Sequence, residues 1–103
     1  MRTLKFLVYG QRIEKEPNCN FNGIVPGTKG YLKASFVFSE EWKNCKKAAV
    51  FSILGKQHPV PIINGTCNIP ESVLVRNSFE VKVVGENEGY RITTNRLEVE
   101  QNG

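Results

Sequence analysis

The chain has no aspartate and a single histidine, His58, and both shortages limit the chemistry it can perform. All ten acidic residues are glutamates, whereas carboxylate pairs in hydrolases and cages for divalent metals usually draw on aspartate as well. None of the cysteines lies in a recognised nucleophile signature, so none is a clear candidate for activation by His58 as a base. The sequence therefore predicts no catalytic residue, no metal site, no cofactor and no enzyme activity.

Long hydrophobic runs are also missing. Purely apolar segments such as Ala48 to Phe51 and Val73 to Val75 are far shorter than the ~20 residues that cross a bilayer. Lys5 interrupts the apolar N-terminal stretch, and no small-residue cleavage site follows it. We therefore expect neither a membrane span nor a secretory signal.

Cysteine is scarce and odd in number. Cys19, Cys45 and Cys67 cannot all pair within one chain, and their spacing matches no zinc-binding pattern. Free thiols are typical of a reducing cytosol. The sequence favours three free cysteines, with a disulfide bond between Cys45 and Cys67 as the alternative.

Charge is unevenly distributed along the chain, whose net charge is +4. Through Lys56 there are ten Lys or Arg residues against four Glu, and beyond it four against six. A basic first half could attract phosphate or an acidic protein face. The basic residues are scattered, however, and the one cluster is Lys43, Lys46 and Lys47, so nucleic-acid binding is not expected.

Short segments with the pattern of β-strands dominate the rest of the chain. They are 3–9, 31–38, 46–54, 57–63, 66–69, 79–84 and 90–100. Between the first two, residues 14–30 are rich in Pro, Asn and Gly and predict a long loop, with a short strand at 21–25. In the segment 31–38, Leu32, Ala34, Phe36 and Phe38 share one face, which predicts a core-facing side.

The turns between these segments carry specific signals. Asn64-Gly65 is typical of a type I′ hairpin turn. Pro59 and Pro61 are two residues apart, which places both missing N–H groups on one side of an edge strand. Ser39 predicts the cap of a helical turn that contains Trp42, and Pro70 predicts the first position of a second such turn.

Together these patterns predict a single domain over residues 1–103. The fold class is all-β, an immunoglobulin-like β-sandwich of about seven antiparallel strands with one or two short helical turns. Apolar strands enter and leave the turn around Trp42, so we expect the indole to be buried between the sheets.

One sandwich has only one interior, and two strands are apolar on both sides. The second sides of 3–9 and 46–54 carry apolar residues that we expect to meet another chain. With the lysine cluster they form the predicted partner-binding set, which is Leu7, Tyr9, Lys43, Lys46, Lys47, Phe51 and Ile53; Ala49 lies on the same predicted side.

Several segments resemble one family of phage domains. They are Phe36 to Trp42, Lys47 to Phe51, Cys67 to Leu74, Phe79 to Gly85 and Arg91 to Asn95. In this order they are similar to the immunoglobulin-like N-terminal domains of baseplate upper proteins and of tail or head-fibre proteins from phages of Gram-positive bacteria. The resemblance covers about residues 31–99.

That resemblance implies a non-enzymatic protein that acts by contact in the virion, in the baseplate, tail or head fibre. The alternative is a phage-encoded, anti-CRISPR-like inhibitor that binds a host nuclease complex, which the small size and basic first half favour. Either way we expect a phage or host protein as the partner, and association of the chain with itself is a further alternative. The expected location is the host bacterial cytoplasm or the virion.

Overall fold

The computed structural model describes residues 1–101, which form nine β-strands and two short 3₁₀ turns. The strands are β1 (Arg2–Tyr9), β2 (Arg12–Lys15), β3 (Leu32–Phe38), β4 (Lys46–Ile53), β5 (Lys56–Pro61), β6 (Thr66–Asn68), β7 (Ser78–Glu86), β8 (Arg91–Thr93) and β9 (Leu97–Glu100). The 3₁₀ turns are Glu40–Trp42 and Glu71–Val73. None of the helical segments described is long and apolar enough to cross a bilayer.

The strands form two packed sheets, which confirms the all-β sandwich. Sheet A has the order β2-β1-β3-β6, and sheet B has the order β5-β4-β7, with β8 and β9 both paired to β7. Strands β1 and β3 are parallel, and every other named pair is antiparallel. A parallel pair needs a long crossover, and the chain between β1 and β3 supplies one.

Side chains alternate between the interior and the two outer faces. In β3, Leu32, Ala34 and Phe36 are buried as predicted, whereas Val37 is exposed. Aromatic rings form a continuous row along the interior of sheet A. It runs from Phe6 to Phe36, Phe38 and Trp42, with centroid separations of 5.3, 5.9 and 5.4 Å.

Trp42 closes one end of the sandwich, and its predicted burial is confirmed, since none of its surface is exposed. Its Nε1 donates to the carbonyl of Gly10 at 2.9 Å, in the turn after β1. On the sheet B side the indole lies against Gly85, where an added Cβ would be 2.7 Å from two ring carbons. The indole therefore joins both sheets, and β7 passes this close beneath it because Gly85 has no side chain.

Ser39 does not cap the turn as predicted, because its side chain makes no capping bond to the turn's N–H groups. Its hydroxyl instead donates to Glu41 at 2.7 Å and accepts from the N–H of Gly10 at 3.1 Å. The bond from Ser39 lowers the pKa of the Glu41 carboxyl. Ser39 thus fastens the turn to the end of β1.

The turn and edge predictions are confirmed, but the turn connects strands of different sheets, β5 of sheet B and β6 of sheet A, with a single bridge between Ile63 and Thr66. Asn64 and Gly65 have positive φ values of 53° and 76°, as a type I′ turn requires. Within residues 1–101, strand β5 pairs with β4 alone, and the N–H of Ile62 donates to the Lys47 carbonyl at 2.9 Å. Because the ladder alternates, Pro59 and Pro61 lie where an N–H would point away from β4.

The segment before β3 differs from its prediction in two ways. Strand β2 was not predicted, and it overlaps the start of the predicted loop. Residues 21–25 form no strand. The Arg2 guanidinium donates to the carbonyls of Asn22 and Gly23 in this segment, at 2.6 and 3.3 Å, and to that of Asn20 just before it, at 2.9 Å. The loop is nonetheless packed on the core, since Ile24 is buried.

Candidate partner-binding surface

The three cysteines are free, so no bridge joins Cys45 to Cys67. Cys19 lies beside β1, where its thiol accepts from the N–H of Lys5 at 3.4 Å. Cys45 accepts from the Asn87 amide at 3.5 Å. Burial raises the pKa of Cys67 to about 12, so that thiol stays protonated at neutral pH and is a poor nucleophile.

His58 has one polar neighbour that the sequence did not reveal, because it is distant along the chain. The hydroxyl of Ser72, in the second 3₁₀ turn, lies 3.4 Å from His58 Nδ1. A catalytic base is normally oriented by a further group, and among residues 1–101 no other side-chain bond to His58 is present. The same residues contain no group of three side chains suited to a metal ion.

The end of the Arg91 to Asn95 segment, which belongs to the family resemblance, serves the fold. Asn95 accepts from the N–H of Ile13 at 2.9 Å and donates to its carbonyl at 3.4 Å. Thr94 accepts from the N–H of Val83 at 3.0 Å. These bonds fasten the segment between β8 and β9 to β2 on one side and to β7 on the other, so they join the two sheets.

The predicted partner residues are divided between different faces. Leu7 and Tyr9 lie on the outer face of sheet A, as expected. Phe51 and Ile53 lie on the inner face of β4, which corrects the prediction: Phe51 has no exposed surface and packs 6.0 Å from Phe79. Ala49 is buried on the same side. The outer positions of β4 are the alternate ones, from Lys46 to Ser52.

The lysine cluster is divided in the same way. Lys43 is exposed and lies 3.9 Å from a carboxylate oxygen of Glu40. Lys46 is on the outer face of sheet B, opposite Glu86. Lys47 points inward at the end of the sandwich, where its Nζ is 5.1 Å from the Phe38 ring centroid and donates to the Cys45 carbonyl at 3.2 Å. Of the three, Lys47 is therefore the least available to a partner.

The outer face of sheet B contains a shallow apolar groove of about 390 Å³, which we call the sheet B groove. Its lining residues are Lys46, Lys47, Ala48, Pro59, Val60, Pro61, Val84 and Glu86. Ala48 and Val84 are cross-strand neighbours, and Pro61 is opposite Ala48 on the other side. The groove thus has an apolar centre on three adjacent strands.

Charged residues limit the groove at the Trp42 end. Lys46 and Glu86 also line a wider depression, whose other residues are Asn44, Asn87 and Glu88. The Glu86 carboxylate is bound by Arg91, with nitrogen–oxygen distances of 2.8 and 2.9 Å. Apolar surface with a polar margin is the arrangement found at protein–protein contacts.

Comparisons of the whole chain with protein-family models, with curated proteins and with solved structures give no match. The assignment of function therefore depends on the residues themselves.

Proposed function

We propose that this chain is a non-enzymatic phage structural or accessory protein that docks another virion protein of the baseplate, tail or head fibre. The observation that carries the proposal is the sheet B groove, an apolar surface limited by Lys46 and Glu86 on an otherwise polar sheet face. The resemblance of the strand and turn segments to phage baseplate and fibre domains supports the class of partner.

The groove suits contact between rigid surfaces. Pro59 and Pro61 are already fixed in φ, so they lose little conformational freedom when a partner covers them. They also leave β5 without two outward donors, which disfavours strand addition at that edge. A partner must therefore contact side chains of the face, and the apolar atoms of Ala48 and Val84 contribute by leaving water.

The second candidate is an anti-CRISPR-like inhibitor of a host nuclease complex. The observation in its favour is that Lys46, at the groove, and Lys43, three residues earlier in the chain, are both exposed, because such cations compete for sites that accept nucleic-acid phosphates. The two candidates use the same surface and differ in the partner.

The test is co-sedimentation of the purified chain with virions and assembly intermediates of the phage that encodes it. We expect the wild type to sediment with one virion component and Val84→Glu to bind it at least about tenfold more weakly, since a buried unpaired carboxylate costs more than 1.4 kcal/mol. Val37→Glu is the matched control, because Val37 is exposed on the opposite face.

Two outcomes would overturn the proposal. One is no association with virions or intermediates at any concentration. The other is loss of binding in Val37→Glu while Val84→Glu binds normally, which would place the contact on sheet A. A stoichiometric host nuclease in the eluate of a pull-down, lost in Lys43→Glu, would establish the inhibitor instead.

A further inference from the structure

Three of the four edges of the two sheets are protected against the addition of a strand. In β5, the two prolines occupy outward positions and have no N–H to donate. At the centre of β2, the Asn95 side chain accepts from the N–H of Ile13 and donates to its carbonyl, at 2.9 and 3.4 Å. In the three-residue strand β6, Thr66 exchanges both backbone bonds with Ile63, at 3.0 and 3.1 Å.

The fourth edge is formed by β8 and β9, which both pair with β7. The turn between β1 and β2 covers its β8 end. There the Gln11 side chain donates to the Thr93 carbonyl at 3.3 Å, and the Gln11 carbonyl accepts from the N–H of Asn95 at 3.1 Å. Strand β9 lies beyond this cover.

The register of β9 on β7 shows which of its backbone groups face outward. The N–H of Gln101 donates to the Asn77 carbonyl at 2.6 Å. This pair lies one step beyond the pair of Glu100 with Ser78 in the same ladder. Because bonded and unbonded pairs alternate in an antiparallel ladder, the N–H and the carbonyl of Glu98 and of Glu100 point away from β7. Within residues 1–101, these four groups have no hydrogen-bond partner.

We propose that the β9 edge accepts an extended segment of another protein as an additional strand of sheet B. The free groups define the chemistry of the occupant. Two N–H groups and two carbonyls recur every second residue along one line, and this is the spacing at which an extended backbone offers its own acceptors and donors. Strand addition of this kind is an established mode of peptide recognition.

The side chains of β9 indicate the residue types of the added strand. Glu98 and Glu100 are exposed on the outer side, and Leu97 is half-buried at the margin of the core on the inner side. Residues of opposite charge stabilise a sheet when they lie directly across from each other. We therefore expect Lys or Arg to alternate with apolar residues in the segment. This preference comes from the residues directly across and not from the charge of the whole region, which Arg76 and Arg96 balance.

A second copy of β9 fits this edge less well than a basic segment does. Any antiparallel register that bonds the free groups of Glu98 and Glu100 to the same groups of a second copy places at least one glutamate directly opposite a glutamate. Like charges in that position repel. The two glutamates thus disfavour self-pairing while they favour a partner of opposite charge, which is a way to obtain specificity.

The test is an NMR titration of the isotope-labelled chain with the synthetic peptide acetyl-Lys-Val-Lys-Val-Lys-amide. We expect the amide signals of Glu98 and Glu100 to shift most and both amides to exchange more slowly, with a dissociation constant on the order of 1 mM. Glu98→Pro removes one outward N–H and keeps the bonds to β7, as edge prolines do, so it should weaken binding at least about tenfold. Glu98→Ala is the matched control, which keeps the N–H and should weaken binding less than about fivefold.

Circular dichroism checks that each variant is folded, and nuclear Overhauser contacts between the Glu98 amide and the peptide test the wild type without any substitution. Unshifted Glu98 and Glu100 amides, shifts confined to another edge, or equal binding by Glu98→Pro would overturn the proposal. So would protection of both amides by self-association without peptide, or equal binding of acetyl-Glu-Val-Glu-Val-Glu-amide. No virion protein enters this experiment and β9 does not line the sheet B groove, so its outcome is independent of the proposed docking there.

Discussion

Two neighbouring pairs of residues show how differently the two sides of sheet B are used. Lys46 and Lys47 are chemically identical and both line the sheet B groove, yet Lys46 is exposed on the outer face while the Lys47 ammonium lies over the Phe38 ring at the end of the interior. On the facing strand, Val84 lines the groove, whereas Gly85 lies directly under the Trp42 indole. Adjacent positions of one strand therefore differ in role: one side chain stabilises the interior, and the next is available to a partner protein.

The comparison shows where side chains with specific bonding partners lie. Trp42 and Asn95 bond across the two sheets, and Cys45 bonds Asn87 at the end of the sandwich. Residues without such partners, such as Val84, Pro59 and Pro61, lie on the outer face of sheet B. We therefore expect inner-side substitutions to change stability and outer-side substitutions to change association.

The largest effect is expected from Trp42→Ala. The change removes a fully buried ring that contacts both sheets and bonds the Gly10 carbonyl, so the free energy of unfolding should fall by about 3–5 kcal/mol. Urea unfolding followed by circular dichroism measures this. Tyr31→Ala is the control, because Tyr31 is half exposed, and an equal loss in both variants would contradict the inner-side role of the indole.

Gly85→Ala should have the next largest effect. The new methyl group would lie 2.7 Å from two indole carbons, so the ring or β7 must shift, at a cost of about 1–3 kcal/mol in the free energy of unfolding. Gly89→Ala is the matched control, since its nearest neighbour would be 3.5 Å away. If both variants unfold at the same urea concentration, the close approach of β7 to the indole is not a constraint.

Asn95→Ala tests the bonds between the sheets. It leaves the N–H of Ile13 without its acceptor, and the free energy of unfolding should fall by about 1–2 kcal/mol. Asn68→Ala, at an exposed position of β6, should change little. Amide hydrogen exchange gives a second measurement, because the Ile13 amide should exchange faster in Asn95→Ala while the amides of β4 stay protected; unchanged Ile13 exchange would contradict the role of Asn95.

Local patterns predicted much of this fold. The alternation of 31–38, the Asn64-Gly65 turn and the paired prolines each describe an interaction between near neighbours along the chain. Such signals are short-range, and the structure bears them out. The buried indole followed from the apolar segments on either side of it.

Long-range relations were not accessible in the same way. Strand β2 has one buried apolar residue, Ile13, and is followed directly in the chain by a turn-rich segment. Its alternating pattern is therefore too short to recognise. The parallel pairing of β1 with β3 depends on where the crossover packs. In β4, Val50 is buried on the outer side as well as Ala49 and Phe51 on the inner side, so the pattern did not show which side faces the core.

The smallest effect, and the sharpest form of the comparison, is expected from the adjacent lysines. Lys47→Ala removes a cation from the Phe38 ring and a bond to the Cys45 carbonyl, and it should lower the free energy of unfolding by about 0.5–1 kcal/mol. Lys46→Ala, on the outer face, should change stability by less than about 0.5 kcal/mol. Binding to the virion component should show the reverse order, because both lysines line the groove but the Lys47 ammonium is held at the Phe38 ring and the Cys45 carbonyl, whereas Lys46 is exposed. Urea unfolding and co-sedimentation of the two variants measure both quantities, and a lysine that dominated both would show that the two sides of β4 are not independent.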